Sequence, residues 1–393
     1  MLSFDEASAI LRAAAAPLPP VMAPIAEADG LVLAEDVTAR IDSPRADVSA
    51  MDGYAVRETD LPGPFTRVGI SSAGTPPTTS LGPGEAMRIF TGAHLPDGAD
   101  RVLVQEIVAA EGDIVRLTGE YGENRHIRLK GSDYAAGDVL LRAGTVIGPR
   151  NIVLLAGADR AKVAAFRRPR VAVLATGDEL AAPGTALETA GSLPESVSFG
   201  IAALAGAWSG EIAIRHRVKD DPLSIARAAA EAFETCDVLT IIGGASVGER
   251  DFARSALGDG GMDMLFSKVA IRPGKPVWVA ADGRGKYLVG LPGNPTSAMV
   301  TARLFLTPLL RALAGKDYGS ALAWEERALS TALPAPGDRE HFARGISDGD
   351  TVGPIENQQS SSQATLAQAN ILIRQPANGG AIAAGECAPC LSF

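Results

Sequence analysis

Cysteine is nearly absent from this chain, at three in 393 residues. That excludes a disulfide framework and fits a reducing compartment, so the cytoplasm is the expected location. Cys387-Ala388-Pro389-Cys390 has the spacing of a redox or metal pair. A structural zinc site needs about four ligands, and no second Cys/His pair exists. Histidine is as scarce: His94, His126, His216 and His341 are scattered with no ligand spacing. Basic charge is in deficit. The net charge of −10 argues against nucleic-acid binding, although local cations still decide whether a small anion binds. Long apolar runs are missing too. None reaches the roughly 18 residues of a membrane helix, and the nearest, Ala298 to Leu313, is broken by Arg303, Pro308 and Arg311. The first residues carry Asp5 and Glu6 and no basic stretch, so no secretory signal is expected. There is no internal repeat.

What remains is an ordinary globular composition, 46% hydrophobic and 21% charged. The length implies roughly two to four domains. Ser3-Phe4-Asp5-Glu6 reads as a capping box opening an Ala-rich helix, stopped by Pro17 and Pro19-Pro20. From 47 to 135, short strands alternate with turns such as Gly82-Pro83-Gly84 and Pro96-Asp97-Gly98, the pattern of a small β-rich domain. After Arg167-Arg168-Pro169 the rhythm changes. Strands are predicted at Val171–Thr176, Val238–Ile242 and Tyr287–Leu291. Helices are predicted at Ser198–Trp208, after the Asp221-Pro222 cap, and over Thr296–Leu313 before Gly315. That alternation predicts a parallel α/β sheet. Residues 318–393 return to short apolar runs with Pro and Gly, a compact β-domain.

Two loops stand out. The strand Val238–Ile242 runs into Gly243-Gly244-Ala245-Ser246-Val247-Gly248-Glu249-Arg250-Asp251, and Gly290-Leu291 runs into Pro292-Gly293-Asn294-Pro295-Thr296-Ser297. Glycines let a ligand approach the backbone, and successive N–H groups form an anion-binding concavity. A carboxylate at Asp251 beside such a site suggests phosphate with Mg²⁺ between them. Between the loops, Lys268, Arg272 and Lys275 lie around a rigid Pro273-Gly274-Lys275-Pro276 turn. This is either a solvated basic turn or an oxyanion site. Thr176-Gly177-Asp178-Glu179 ends another strand, where ligands of open α/β sheets bind. An ordinary turn with helix-capping acids reads equally well there. Ser49–Val56, Ile89–Ala93 and His126–Asp133 are further small-residue or mixed-charge loops, and Asp-Gly is commonplace in turns.

Taken in order, seven segments resemble the molybdopterin molybdotransferases, the MoeA proteins, also seen as the E domain of gephyrin. They are Ser49–Val56, Ile89–Ala93, Ile127–Asp133, Val171–Leu180, Gly243–Phe252, Lys268–Pro276 and Gly290–Ser297. The resemblance implies a multidomain α/β plus β fold. Residues 1–46 with 136–168 would form an N-terminal linking and dimerisation domain, and 47–135 an inserted β-rich domain. Residues 169–316 would form a MoaB/MogA-like α/β molybdopterin-binding domain, and 317–393 a C-terminal domain like a small β-barrel. It implies Mg²⁺-dependent insertion of molybdate into adenylylated molybdopterin with release of AMP. It also implies a homodimer with a cleft shared between subunits, and an adenylyltransferase and recipient molybdoenzymes as partners.

The resemblance also assigns roles. Asp220 and Asp251 would serve Mg²⁺ and the nucleotide-pterin phosphates. Ser246, Arg272, Lys275, Ser297, Arg344 and Ser360 would hold molybdate or the pterin phosphate. Thr176, Gly243, Gly244, Lys268, Pro292 and Asn294 fall on the ligand-binding motifs. Glu179 lines the implied cleft, as do Asp52, Thr91 and Asp133, these last three contributed by the partner subunit. No side-chain nucleophile is needed, because the dithiolene itself displaces oxo groups. The chain departs from the family pattern at Glu195-Ser196-Val197, where Asp-Ser-Asn is usual. It departs again at Arg272, where lysine is usual, at Ser132 in place of Glu, and at Ser361 in place of Gly. These departures leave a non-catalytic carrier or scaffold of molybdopterin as the alternative function.

Overall fold

The computed structural model describes residues 1–243 and 261–393. The chain divides into two compact units, Met22–Asp29 with Glu35–Val163, and Met1–Val21 with Gly30–Ala34 and Ala164–Phe393.

The first unit is built on a six-stranded sheet in the order Arg101–Val104, Gly53–Val56, Glu85–Ile89, Phe65–Ser71, Ile114–Leu117, Val108–Glu111. Alternation along Gly53–Val56 sends Tyr54 and Val56 to one apolar cluster and Ala55 to another, so both faces of the sheet are covered. Gly53 is required there: a Cβ would lie 1.9 Å from the Leu103 carbonyl oxygen on the adjacent strand. Arg101 is buried and ties the 122–125 loop to the sheet. It pairs with Glu58 at 2.6 Å and donates to the carbonyls of Gly122 and Asn124.

The second unit opens with the helix Phe4–Ala14, closed at its start by the predicted capping box of Ser3 and Glu6. Its main sheet runs Glu211–Val218, Arg170–Thr176, Val238–Ile242, Tyr287–Leu291, Trp278–Ala281, Asp263–Ser267. The first four strands are parallel. The last two are antiparallel, which the sequence reading of a parallel sheet did not contain. The cause is local. Residues 282–286 form a short turn in which the Asp282 carboxylate accepts from the backbone N–H groups of Arg284 and Lys286. A turn that short joins only antiparallel neighbours. The helix predicted over Thr296–Leu313 is present from Pro295 but contains a π-helical turn, Ala302–Leu306. Arg303 is buried in that turn, held by the carbonyls of Ser392 and Ala321 and by the face of Trp208.

Near the C-terminus, Glu340–Ser347, Thr351–Pro354, Glu325–Leu329, Cys387–Ser392 and Ile371–Gln375 close into a five-stranded barrel. The short strand Ile271–Arg272 joins it from earlier in the chain, pairing in parallel with Glu340 and His341. Cys387 and Cys390 share one barrel strand. Residues three apart on a strand face opposite ways, and Cys387 is exposed while Cys390 is buried, its thiol pushed up to about 11 by that burial. The Cys-x-x-Cys spacing therefore makes neither a redox nor a metal pair. Among the described residues no helix is long and apolar enough to cross a membrane.

Candidate functional site

Three parallel strands of the main sheet end together. The Thr176 hydroxyl donates to the Ile242 carbonyl at 3.2 Å, and the Gly243 N–H donates to the Leu291 carbonyl at 3.1 Å. Gly243 has φ +81°, and a Cβ there would lie 2.9 Å from the Thr176 carbonyl oxygen. Only glycine lets the three ends close this tightly. Carboxyl ends of parallel strands are where open α/β sheets hold ligands, and a cavity of about 650 Å³ opens there. Thr176, Glu179, Asp220, Gly243, Pro292 and Asn294, all singled out in the sequence, line it. Glu179 and Asp220 are exposed carboxylates, and the Asp220 N–H donates to the neighbouring Asp178 carboxylate at 3.2 Å. Leu180, Leu193 and Val197 add apolar surface to the lining. The lining thus offers both apolar surface for a flat ring and polar groups.

A second cavity of about 480 Å³ adjoins it, sharing Pro276 and Ser361. Arg272, Lys275, Ser297 and Ser360, all singled out in the sequence, line this one, and among the described residues no carboxylate does. Gly274 sets the geometry of its basic turn. Its φ is +105°, and a Cβ would lie 2.2 Å from the Thr301 methyl, so the turn packs directly onto the helix. Among the described residues neither Arg272 nor Lys275 has an ion-pair partner. Cations, hydroxyls and amides without a carboxylate favour an oxyanion.

Arg344 lies behind this wall. It is 1% exposed, its Nη2 donates weakly to the Gln359 carbonyl at 3.4 Å, and its Nε has no partner among the described residues. Its own backbone N–H and C=O are bound by the Gln358 amide. Burial, together with the charge of Arg272, lowers its guanidinium to about 10. His341 lies on the same strand, its Nδ1 hydrogen-bonded to Gln375 Oε1 at 3.3 Å. The Gln375 NH₂ is committed to the Pro334 carbonyl, so Oε1 faces the ring and Nδ1 carries the proton. Burial, and then the charges of Arg272 and Arg344, lower the imidazole to about 4. The barrel strand next to this cavity thus carries a buried guanidinium and a neutral imidazole.

Other predicted residues fall elsewhere. Lys268 is exposed at φ +58° and lines neither cavity. In the β-rich unit, Asp52 accepts from the Thr91 N–H at 2.7 Å and the Thr91 hydroxyl at 2.8 Å, which holds its carboxyl below the usual range. The structure thus joins Asp52 to Thr91, whereas Asp133 is held separately, by Ser43. Gly244, Ser246 and Asp251 lie outside the described residues. Arg339, Gln358 and Gln359 line the cationic cavity and were missed in the sequence. Nothing marks loop glutamines as site residues, and only the positive charge of Arg339 in Gly337-Asp338-Arg339 offered a signal.

Comparison with known proteins gives three consecutive family matches. Residues 2–158 match the MoeA N-terminal region (domain I and II), 172–312 match the domain described as "Probable molybdopterin binding domain", and 326–393 match the MoeA C-terminal region (domain IV). A curated Nostoc protein named molybdopterin molybdenumtransferase is 33% identical over 91% of this chain and 85% of its own length. The Haemophilus influenzae protein of the same name is 33% identical over 98% and 97%. A solved molybdopterin biosynthesis MoeA protein from Pyrococcus horikoshii has a TM-score of 0.82 at 28% identity, covering 100% of this chain and 99% of that one.

Proposed function

Because this chain belongs to the MoeA family, we propose that it is a molybdopterin molybdenumtransferase acting in molybdenum cofactor biosynthesis. Its reaction is the insertion of molybdate into adenylylated molybdopterin with release of AMP. The observation that carries this reading is the pair of adjoining cavities, one cationic and, among the described residues, free of carboxylates, the other mixed apolar and acidic, meeting at Pro276 and Ser361. Molybdate is a dianion. Arg272, Lys275 and Arg339 supply its counter-charge, Ser297 and Ser360 its hydroxyl donors, and Arg344 adds positive potential from behind the wall. The larger cavity takes the pterin against Leu180, Leu193 and Val197, with Thr176, Gly243, Pro292 and Asn294 around it.

Mg²⁺ fits the residues present. Among the described residues no group of three or more His, Cys, Asp or Glu is gathered to hold a metal. This ion is usually held by one or two carboxylates together with substrate phosphates, not by an all-protein cage. Asp220, which lines the larger cavity with Glu179, would hold it together with Asp251, and the ion would supply charge neutralisation for the departing phosphate. Gly244, Ser246 and Lys268 are assigned to the same ligand by their motifs. Asp52, Thr91 and Asp133 act from the partner subunit of a homodimer. The four-domain division at 46, 135, 168 and 316 and a cytoplasmic location belong to the same reading.

The test is conversion of adenylylated molybdopterin plus molybdate to active cofactor by the purified protein, with and without Mg²⁺. Turnover that needs Mg²⁺ and releases AMP supports the assignment. Tight binding of the pterin without turnover refutes it in favour of a carrier.

A further inference from the structure

The helix Val197–Ala207 lines the larger cavity with its first turn, and that turn is not capped in the usual way. Ser196 occupies the N-cap position, where a serine normally accepts a hydrogen bond from its own helix. Here it makes no such bond. Glu195 takes over. One carboxylate oxygen accepts the Ser198 N–H at 2.8 Å and the other accepts the Ser198 hydroxyl at 2.6 Å. The carboxylate is 5% exposed, and Arg215 approaches it at 3.7 Å. Arg215 donates to the Ser198 hydroxyl at 3.2 Å and lies 3.6 Å from the Phe199 ring centroid, which fixes it in turn.

Ser196 Oγ is therefore released from its helix. It accepts from Gln363 Nε2 at 3.1 Å, and both residues line the cavity. Gln363 stands on a firm base. The Thr296 N–H donates to the Ser360 carbonyl at 3.0 Å, the Thr296 hydroxyl to the Ser362 carbonyl at 3.2 Å, and the Asn294 amide to the Ser360 hydroxyl at 3.2 Å. Among the described residues, Gln363 Oε1 and its second N–H have no partner. The cavity wall thus carries a hydroxyl and a carboxamide side by side, with donors and acceptors to spare, beside the apolar surface of Val197.

We propose that Glu195 is a positioning residue, and that the Ser196–Gln363 pair it presents grips the polar edge of the substrate's fused heterocycle. The inference rests on the reading of this cavity as the site of adenylylated molybdopterin. It gives the Glu195-Ser196-Val197 departure a physical role. Glutamate has the reach to cap Ser198 while leaving the serine free, and valine supplies a ring-facing apolar contact.

The test uses the full chain and two titrations. Adenylylated molybdopterin alone is bound calorimetrically. Turnover is then measured against that substrate at saturating molybdate, and against molybdate at saturating pterin. Ser196→Ala and Gln363→Ala should each raise the KM for the pterin substrate about fivefold, the loss of one neutral hydrogen bond, at little-changed kcat. The double variant should lose little more than either single one, because the two groups act as a unit. Glu195→Gln should raise the same KM, and Glu195→Asp should recover part of it. Molybdate dependence should not move in any of them. Unchanged KM in Ser196→Ala and Gln363→Ala overturns the inference, as does a Glu195→Gln protein that melts lower but binds the pterin normally. If the wild type itself binds no adenylylated molybdopterin, the functional reading falls and this inference with it. If the wild type binds and all variants match it, only the inference falls.

Discussion

Replacing Arg344 with methionine should make the protein more stable and a poorer binder of molybdate. The guanidinium is 1% exposed and, among the described residues, has one long hydrogen bond and an unpartnered Nε. Its fall from 12.5 to about 10 corresponds to roughly 3 kcal/mol disfavouring the charged form in the folded state. The sign is clear. Arginine is charged in both folded and unfolded chains at pH 7, so the penalty is fully present below the folded value and fades only between about 10 and 12.5. Methionine keeps much of the volume, and the bonds from Gln358 to the Arg344 backbone do not depend on the side chain. Exchanging a poorly compensated buried charge for an apolar side chain is often stabilising by about 1–4 kcal/mol. A gain of about 2 kcal/mol is expected, raising Tm by several degrees at about 2–4 °C per kcal/mol. The same change removes a neighbouring positive charge from the oxyanion cavity. At an effective dielectric near 20 that is on the order of 2 kcal/mol, or more than tenfold in Kd. The assays are thermal unfolding and calorimetric titration with molybdate, both at pH 7 and low salt. A variant that melts below wild type, or binds molybdate with unchanged affinity, refutes the reasoning.

Three further outcomes are expected. Lys275→Ala should raise the molybdate requirement about tenfold, a charged contact of about 1.5–3 kcal/mol, while Arg272→Lys, the family's residue, should preserve activity; cofactor formation against molybdate concentration measures both. His341 is neutral in the fold at about 4 against 6.5 unfolded, so stability should be full above pH 6.5 and fall by up to about 3 kcal/mol as pH drops towards 4. Urea unfolding from pH 7 to 4 should show a shallower loss in His341→Gln. Gly290→Ala would place a Cβ 2.0 Å from the buried Trp278 indole and should cost at least about 1–3 kcal/mol, read as a lower urea midpoint.

Features written by neighbouring residues were legible in the sequence. The capping box at Ser3 and Glu6, the Asp221-Pro222 helix start and the bounds of Val238–Ile242 and Tyr287–Leu291 match. So does the gathering of Thr176, Gly243, Pro292 and Asn294, because strand ends in an α/β sheet have few places to go. What escaped depends on distant pairing or on quiet residues. The antiparallel edge was hidden in the turn at 282–286, whose Asp-Gly-Arg-Gly signal was passed over. The π-helical turn has no marker in an apolar run. Arg344 was assigned to the ligand by the family resemblance, yet it is buried on its barrel strand and does not line the cationic cavity. Gln363 reaches Ser196 across 167 residues, which no local pattern encodes.

The strand Ile271–Arg272 blurs where one inherited piece of this protein stops and another starts. The C-terminal family region begins at residue 326, yet the barrel it encodes receives that strand from the preceding region, against Glu340 and His341. A segment cut at 326 would expose the edge of Glu340–Ser347 and leave behind Arg272, which lines the cationic cavity. Transplanting the barrel onto another scaffold, or swapping it between relatives, would carry half a site unless the recipient supplied a matching Arg-Pro-Gly-Lys-Pro turn. The unit that can be exchanged is therefore longer than the unit that sequence comparison marks, and any chimera should be spliced upstream of Lys268.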